Sequence, residues 1–388
     1  MYPTISDLLQ ELLNLHIPLP IQTFGFMLAV SFLCAAWTLS LELSRKEALG
    51  VFKPVTVRTL VGEPAKPMEL VYAFFFGFII GYKLLYVAMH YSDFVNDTQG
   101  MLLSSDGSWM GGILGGTGSA GLKYFEKQKS KLAKPEWRSE QVSVSHLVGN
   151  FTMVAAVAGI LGAKLFHNLE NIDDLVRDPI GSLLSFSGLT MYGGLICGGA
   201  AVLWYAHKNG MNLFHTADSA APGLMLAYGT GRLGCHLSGD GDWGIVNTLT
   251  KPDWMGFLPD WFWAYDYPRN VINAGVPIEG CVGNHCMVLP DAVFPTPLYE
   301  SLVCIFLFGV LWSMRKRIMI PGMLFSIYLV MNGVERFLIE KIRVNTKYHF
   351  GSFDITQAEI ISSILFALGL FGIWWVRKRH LQKSQHSR

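Results

Sequence analysis

Apolar residues in this chain fall in runs of about twenty separated by short polar stretches, the length at which an α-helix crosses the hydrocarbon of a bilayer. The pattern predicts nine spanning helices, near Gln22–Leu43, Glu69–His90, Ser108–Leu122, His146–His167, Leu184–Ala206, Ala217–Cys235, Pro297–Ser313, Gly322–Ile342 and Ala358–Val376. The third is short and glycine-rich. Basic residues gather after the first (Arg45, Lys46, Lys53, Arg58, Lys66), third (Lys123 to Arg138) and seventh (Arg315, Lys316, Arg317), and in the tail (Arg377, Lys378, Arg379). The intervening loops are acidic or neutral. Cytoplasmic loops concentrate Lys and Arg, so the N-terminus is expected outside and the C-terminus in the cytoplasm. The first stretch, MYPTISDLLQELLNLHIPLP, lacks the basic n-region and small-residue cleavage site of a signal peptide. It reads as an amphipathic lead-in on the membrane surface.

Composition fits an integral membrane protein. Of 388 residues, 51% are hydrophobic and only 15% charged, against about a quarter charged in soluble domains. Formal net charge is +1. No basic stripe interleaved with aromatics appears, so no nucleic-acid partner is expected.

An internal repeat is present. Gly77–Asp97 aligns on Ala158–Asp178 without gaps at an offset of 81, with seven of 21 positions identical, among them Gly81/Gly162, Lys83/Lys164, Asp93/Asp174 and Asp97/Asp178. Downstream, MGGILGG at 110 echoes YGGLICG at 192. We read a tandem duplication of a helical hairpin, although small-residue membrane helices also resemble one another by composition. The long polar excursion Ser238–Pro295 carries Trp243, Trp254, Trp261, Trp263, Tyr265 and Tyr267. Such aromatics collect at headgroup level, which predicts a small extracytoplasmic head lying on the bilayer and roofing a site. Cys281 and Cys286 fall in this region, where a disulfide can form. A metal site with His285 is disfavoured because no second pair of ligands lies nearby.

Candidate chemistry centres on Ala217–Gly244, a small-residue helix ending in a turn with Arg232, His236, Asp240 and Asp242. A charge at that depth must be solvated or paired, and glycine amides can ring an anion; the alternative is a packing face with a snorkelling arginine. Arg336, Glu340 and Arg343 follow at i, i+4, i+7 and are expected on one helix face. Tyr299 and Glu300 open the seventh segment. Arg232, Arg336 and Arg343 together could clamp a phosphodiester, oriented by Asp242, Glu300 and Glu340.

Five blocks carry a resemblance: GAKLFHNLE (162–170), MYGGLICGG (191–199), ADSAAPGLMLAYGTGRLGCHLSGDGDWG (217–244), PTPLYES (295–301) and RFLIEKIR (336–343). In order and content the chain resembles the prolipoprotein diacylglyceryl transferase family, and the first segment also fits. The resemblance implies an all-α membrane enzyme of the bacterial cytoplasmic membrane. Its reaction moves the diacylglyceryl group of phosphatidylglycerol onto the lipobox cysteine of prelipoproteins, with no cofactor or metal. Seven spans are implied, so the hairpin Glu69–Leu122 is additional. The implied division is a lead-in (1–21), a first core span (22–43), an inserted hairpin with basic loops (44–141), core spans with the Gly-Gly and GRxG motifs (142–237), a head (238–296), three last core spans (297–376) and a basic tail (377–388).

By the same resemblance, Arg232, Gly234, Cys235, Gly244, Tyr299, Glu300, Arg336 and Arg343 would bind the lipid, and Tyr192, Asp242 and Glu340 would carry catalysis; His236 joins them on its residue type alone. Asp240 is the other candidate for the acid assigned to Asp242. The chain departs from the family at its histidine, which is Tyr192, at the GRxGN asparagine, which is Cys235, and at Phe24, Phe294 and Pro297. A phenol of pKa about 10 is a poor base at neutral pH. His236, of a residue type titrating near pH 6.5, is expected to take over proton handling. The alternative is a catalytically inactive paralogue that binds phospholipid or signal helices as a scaffold. A transporter is a weaker third reading, since the repeat runs parallel and covers two helices per unit.

Overall fold

The computed structural model describes residues 1–386 except 16, 97, 185–189, 346, 351 and 352. Asp97 of the repeat and the first residues of the expected Leu184–Ala206 helix therefore lie outside the described residues. The chain forms two compact units. One comprises Met1–Pro3, Thr23–Val55 and Ser143–Arg388, the other Thr4–Gln22 and Thr56–Val142.

The smaller unit begins with α1 (Ile5–Leu13), whose Thr4 and Asp7 cap each other's backbone amides. Strands β1 (Val55–Val61) and β2 (Glu136–Val142) pair in a two-stranded sheet. Helices α3 (Pro67–Met89) and α6 (Trp109–Lys129) pack closely on each other and are joined through the short α4 (Tyr91–Asn96) and α5 (Thr98–Leu103). Gly81 and Gly111 touch backbone to backbone: a Cβ on either would collide with the other's carbonyl. Lys83 donates to the carbonyls of Met101, Ser104 and Asp106 at 2.9, 2.5 and 2.8 Å, which satisfies the carbonyls freed at the end of α5.

The larger unit contains α2 (Thr23–Ala48), α7 (Val148–Glu170), α8 (Ile172–Arg177), α9 (Pro179–Leu184), α10 (Met191–Lys208), α11 (Leu213–Ser238), α12 (Thr296–Met314), α13 (Met323–Glu340) and α14 (Gln357–His386). The repeat holds element by element. Helices α8 and α9 begin and end 81 residues after α4 and α5, and α7 pairs with α10 as α3 does with α6. Helix α11 is the hub, packed on α2, α12 and α13. Its Asp218, 4% exposed, accepts from the amides of Gly322 (2.7 Å) and Phe325 (2.8 Å), capping α13 from a neighbouring helix. Ala221, Met225, Cys304, Leu311, Leu324 and Tyr328 form the core between these helices.

Each of the nine expected segments overlaps one of these long helices, the fifth only from Met191 onward. Among the described residues, five stretches are long and apolar enough to cross a membrane: Thr23–Ala48, Pro67–Met89, Val144–Glu170, Thr296–Met314 and Gln357–Gln382. The other four, α6, α10, α11 and α13, are diluted by glycines or by buried charge. Between α11 and α12 the chain makes little regular structure. Strands β3 (Val276–Pro277) and β4 (Met287–Val288) pair antiparallel, and a Cys281–Cys286 disulfide closes their loop. Asn270, fully buried, ties the turn by donating to Ala274 O at 2.9 Å and accepting from its amide at 2.7 Å. Strands β5 (Lys347–Phe350) and β6 (Phe353–Thr356) precede α14.

Candidate functional site

Where α11 ends and α12 begins, six charged side chains meet. Glu300, in the first turns of α12 and fully buried, is their centre. Its carboxylate receives Arg232 Nε at 3.0 Å, Arg336 at 2.9 Å and Arg343 at 3.4 Å. Tyr228, one turn before Arg232 on α11, donates its hydroxyl to Glu300 at 3.0 Å. Arg336 also pairs with Glu340 at 2.8 Å, and Asn345 donates to Glu340 at 2.6 Å. Asp242 bridges the remaining guanidinium edges, one oxygen to Arg232 and the other to Arg343. Three guanidiniums are thus matched by three carboxylates, as burial of so much charge requires.

Arg343 reaches this cluster by a route the periodicity does not predict. Helix α13 ends at Glu340, so Arg343 does not share its face with Arg336 and Glu340. Instead the chain leaves the helix and forms a β-bridge with Gly244, the Ile245 amide donating to Ile342 O at 2.9 Å. A Cβ at Gly244 would lie 2.5 Å from Ile342 O and 2.8 Å from Phe294 Cβ, so only glycine permits the approach. Thr296 donates to Asp242 O at 2.9 Å and fixes the intervening turn.

Electrostatics separates the two aspartates of that turn. Burial pushes the Asp242 carboxyl up, but Arg232 and Arg343 outweigh it and hold the group below the ordinary carboxylate range. Asp240 faces no such pair: burial, and then the neighbouring Asp242 charge, raise it. Its oxygen accepts from the Asp242 amide at 3.2 Å. Asp242, rather than Asp240, is therefore the acid that meets the arginines.

Other expected site residues stand elsewhere. His236 is 6% exposed and sits among Trp261, Tyr265 and Tyr267, its Nδ1 3.1 Å from the Tyr267 hydroxyl. Burial pushes the Tyr267 phenol well above its usual range, so it keeps its proton and is placed to donate to that nitrogen. Tyr299 gives its hydroxyl to Phe262 O at 2.7 Å, tying α12 to the head segment rather than to the arginines. Gly234 is a packing position: a Cβ there would lie 2.8 Å from Met27 Cβ on α2. Buried Cys235 lies 4.0 Å from Arg232 Nη1. Tyr192, half-buried on α10, is not among the partners of the cluster. Cys235, Asp240 and Asp242 place ligand-type atoms within 4.8 Å of one another, but Asp242 is committed to two guanidiniums, which disfavours a cation there.

Sequence reasoning missed two residues. Tyr228 looks like one more apolar position of α11. Glu335, 6% exposed, has neither carboxylate oxygen hydrogen-bonded among the described residues. Its one signal was an acid inside an apolar segment.

Residues 128–375 match the family described as prolipoprotein diacylglyceryl transferase. Among similar curated proteins is a phosphatidylglycerol–prolipoprotein diacylglyceryl transferase of Vibrio vulnificus, 32% identical over 248 residues, covering 63% of this chain and 78% of the relative. A transferase of the same name from Symbiobacterium thermophilum is 29% identical over 237 residues, covering 60% and 78%. Another, from Streptococcus pyogenes, is 27% identical over 257 residues, covering 65% and 86%. All six residues of the charged cluster fall within the matched range.

Proposed function

The chain belongs to the prolipoprotein diacylglyceryl transferase family, and from that premise we propose that it moves the diacylglyceryl group of phosphatidylglycerol to the lipobox cysteine of prelipoproteins. The observation that carries the reading is the convergence of Arg232, Arg336 and Arg343 on Glu300 inside the matched range. The cysteine sulfur attacks a glycerol carbon, an S–C bond forms, the C–O bond to phosphate breaks, and glycerol phosphate leaves with the proton the thiol gives up. The phosphate then needs cationic donors already in place, because preorganised charge costs no rearrangement during reaction.

In this reading Asp242 holds the phosphate's place. It is the most exposed carboxylate of the cluster, 35% against 0% for Glu300 and Glu340, and it offers one oxygen to each of Arg232 and Arg343. A phosphodiester presents the same two-oxygen edge and can replace it. Glu300 and Glu340 keep the guanidiniums aimed, and Gly244 holds the Arg343 strand in reach. Proton handling falls to His236, one turn beyond Arg232 on α11; with Nδ1 accepting from Tyr267, its Nε2 carries the ring proton and acts as the donor. Tyr192 serves as a hydrogen-bond donor to the lipid, Cys235 lies against Arg232, Gly234 seats α11 on α2, and Tyr299 holds α12 to the head segment.

The same reading takes the nine long helices among the described residues as spans, with residues 238–296 as a head outside the cytoplasm. Two features support that side for the N-terminus. Its ammonium group donates to Pro268 O in the head at 2.7 Å, and the Tyr2 amide to Leu237 O at 2.8 Å. Exposed Trp254 (73%) and Phe257 (81%) give the head apolar contacts for the bilayer surface. Residues 44–141 form the inserted hairpin with its basic loops, and the partners are phosphatidylglycerol, signal peptides and the bilayer.

The test is transfer from labelled phosphatidylglycerol to a lipobox peptide by the purified chain, alongside complementation of a strain depleted of its own transferase. Labelled thioether product supports the reading. Lipid binding without transfer, and no rescue, would establish the scaffold alternative instead.

A further inference from the structure

About 20 Å of α12 separates Glu300 from that helix's far end, where a second constellation lies. Four basic side chains there stack on tryptophans: Lys208 on Trp204 (5.4 Å), Arg315 on Trp312 (3.3 Å), Lys378 on Trp374 (5.1 Å) and Arg379 on Trp375 (4.4 Å). Tryptophan and basic residues gather at headgroup level, so this belt marks one membrane interface. Arg315 is also consumed by buried Glu42 at 3.2 Å. Arg317 and Arg377 differ: both are exposed, and among the described residues neither has an acidic or aromatic partner. They flank a cavity of about 360 Å³ whose floor includes Ile318, Ile320, Met323 and Ile373 and whose lining holds no acidic side chain.

The chemistry selects the occupant. A small soluble anion would satisfy the guanidiniums and leave the aliphatic floor bare. A zwitterionic lipid would cover the floor and leave net charge unmatched. An anionic phospholipid answers both, its phosphate between the guanidiniums and the upper part of an acyl chain against the isoleucines. We propose that this cavity binds an anionic phospholipid of the leaflet on the basic side, at a place separate from the Glu300 cluster.

The test counts lipids by native mass spectrometry on the full chain, delipidated in detergent and then offered dioleoyl-phosphatidylglycerol or dioleoyl-phosphatidylcholine. The wild type should retain the glycerol lipid over the choline lipid. Arg317→Gln/Arg377→Gln should lose one phosphatidylglycerol per chain, with occupancy of that site falling about tenfold. Equal retention of both lipids would overturn the proposal, as would displacement by excess inorganic phosphate or an unchanged count in the double variant. If that variant fails to fold, Arg317→Gln and Arg377→Gln made singly decide: each should lower the occupancy of that one site, and unchanged counts in both would overturn the proposal.

Discussion

Glu300 and Glu335 are both buried carboxylates, but among the described residues only the oxygens of Glu300 are hydrogen-bonded. Removing its charge strands three guanidiniums, and breaking a buried pair costs about 3–5 kcal/mol. Glu300→Gln should therefore lower the detergent melting temperature sharply and abolish transfer. Glu335 has no donor to lose, and an apolar replacement of similar volume is neutral or stabilising at such sites. Glu335→Leu should leave the melting temperature unchanged or raise it; a loss comparable to that of Glu300→Gln would show that a partner has been overlooked. Asp242 makes a pH prediction. Its folded pKa lies below its unfolded one, so its contribution is complete above the ordinary carboxylate value of about 4 and lost as pH falls through the lowered value. Asp242→Asn should flatten the acid limb of a melting-temperature profile relative to the wild type; parallel limbs would contradict the pairing.

At the scale of elements, hydrophobic runs made the long helices legible because a single segment satisfies its own backbone in hydrocarbon only as a helix. The repeat was legible for a similar reason, since glycine spacing records where two helices must touch. Gly81→Leu should split α3 from α6 and open Thr56–Val142 to limited proteolysis; resistance equal to the wild type would contradict the backbone contact. The end of α13 was not legible. Continuing its period to Arg343 gave the right residue for the cluster by the wrong geometry, because a helix of charged and apolar residues has no strong stop at Glu340 and the bridge to Gly244 is a long-range contact. Gly244→Ala should push the Arg343 strand away and cost about a hundredfold in transfer, the scale of a misplacement of about 1 Å. The fold should persist by melting temperature, and full activity would show that the bridge is dispensable.

For the whole molecule, the charged cluster lies in the larger of the two compact units, and so does the family match from Ser143 onward. The charged cluster was visible in the sequence as residue types at odds with their surroundings. Its connectivity was not, because which carboxylate meets which guanidinium depends on helices far apart in the chain. Transfer then depends on those guanidiniums holding the donor's phosphate. The most direct measurement is the rate of transfer from phosphatidylglycerol to a lipobox peptide by Arg232→Gln and Arg343→Gln, each with wild-type melting behaviour verified. Losses of about a thousandfold or more are expected for each, the scale of removing preorganised donors from a reacting anion. Rates within about tenfold of the wild type in both would contradict the account.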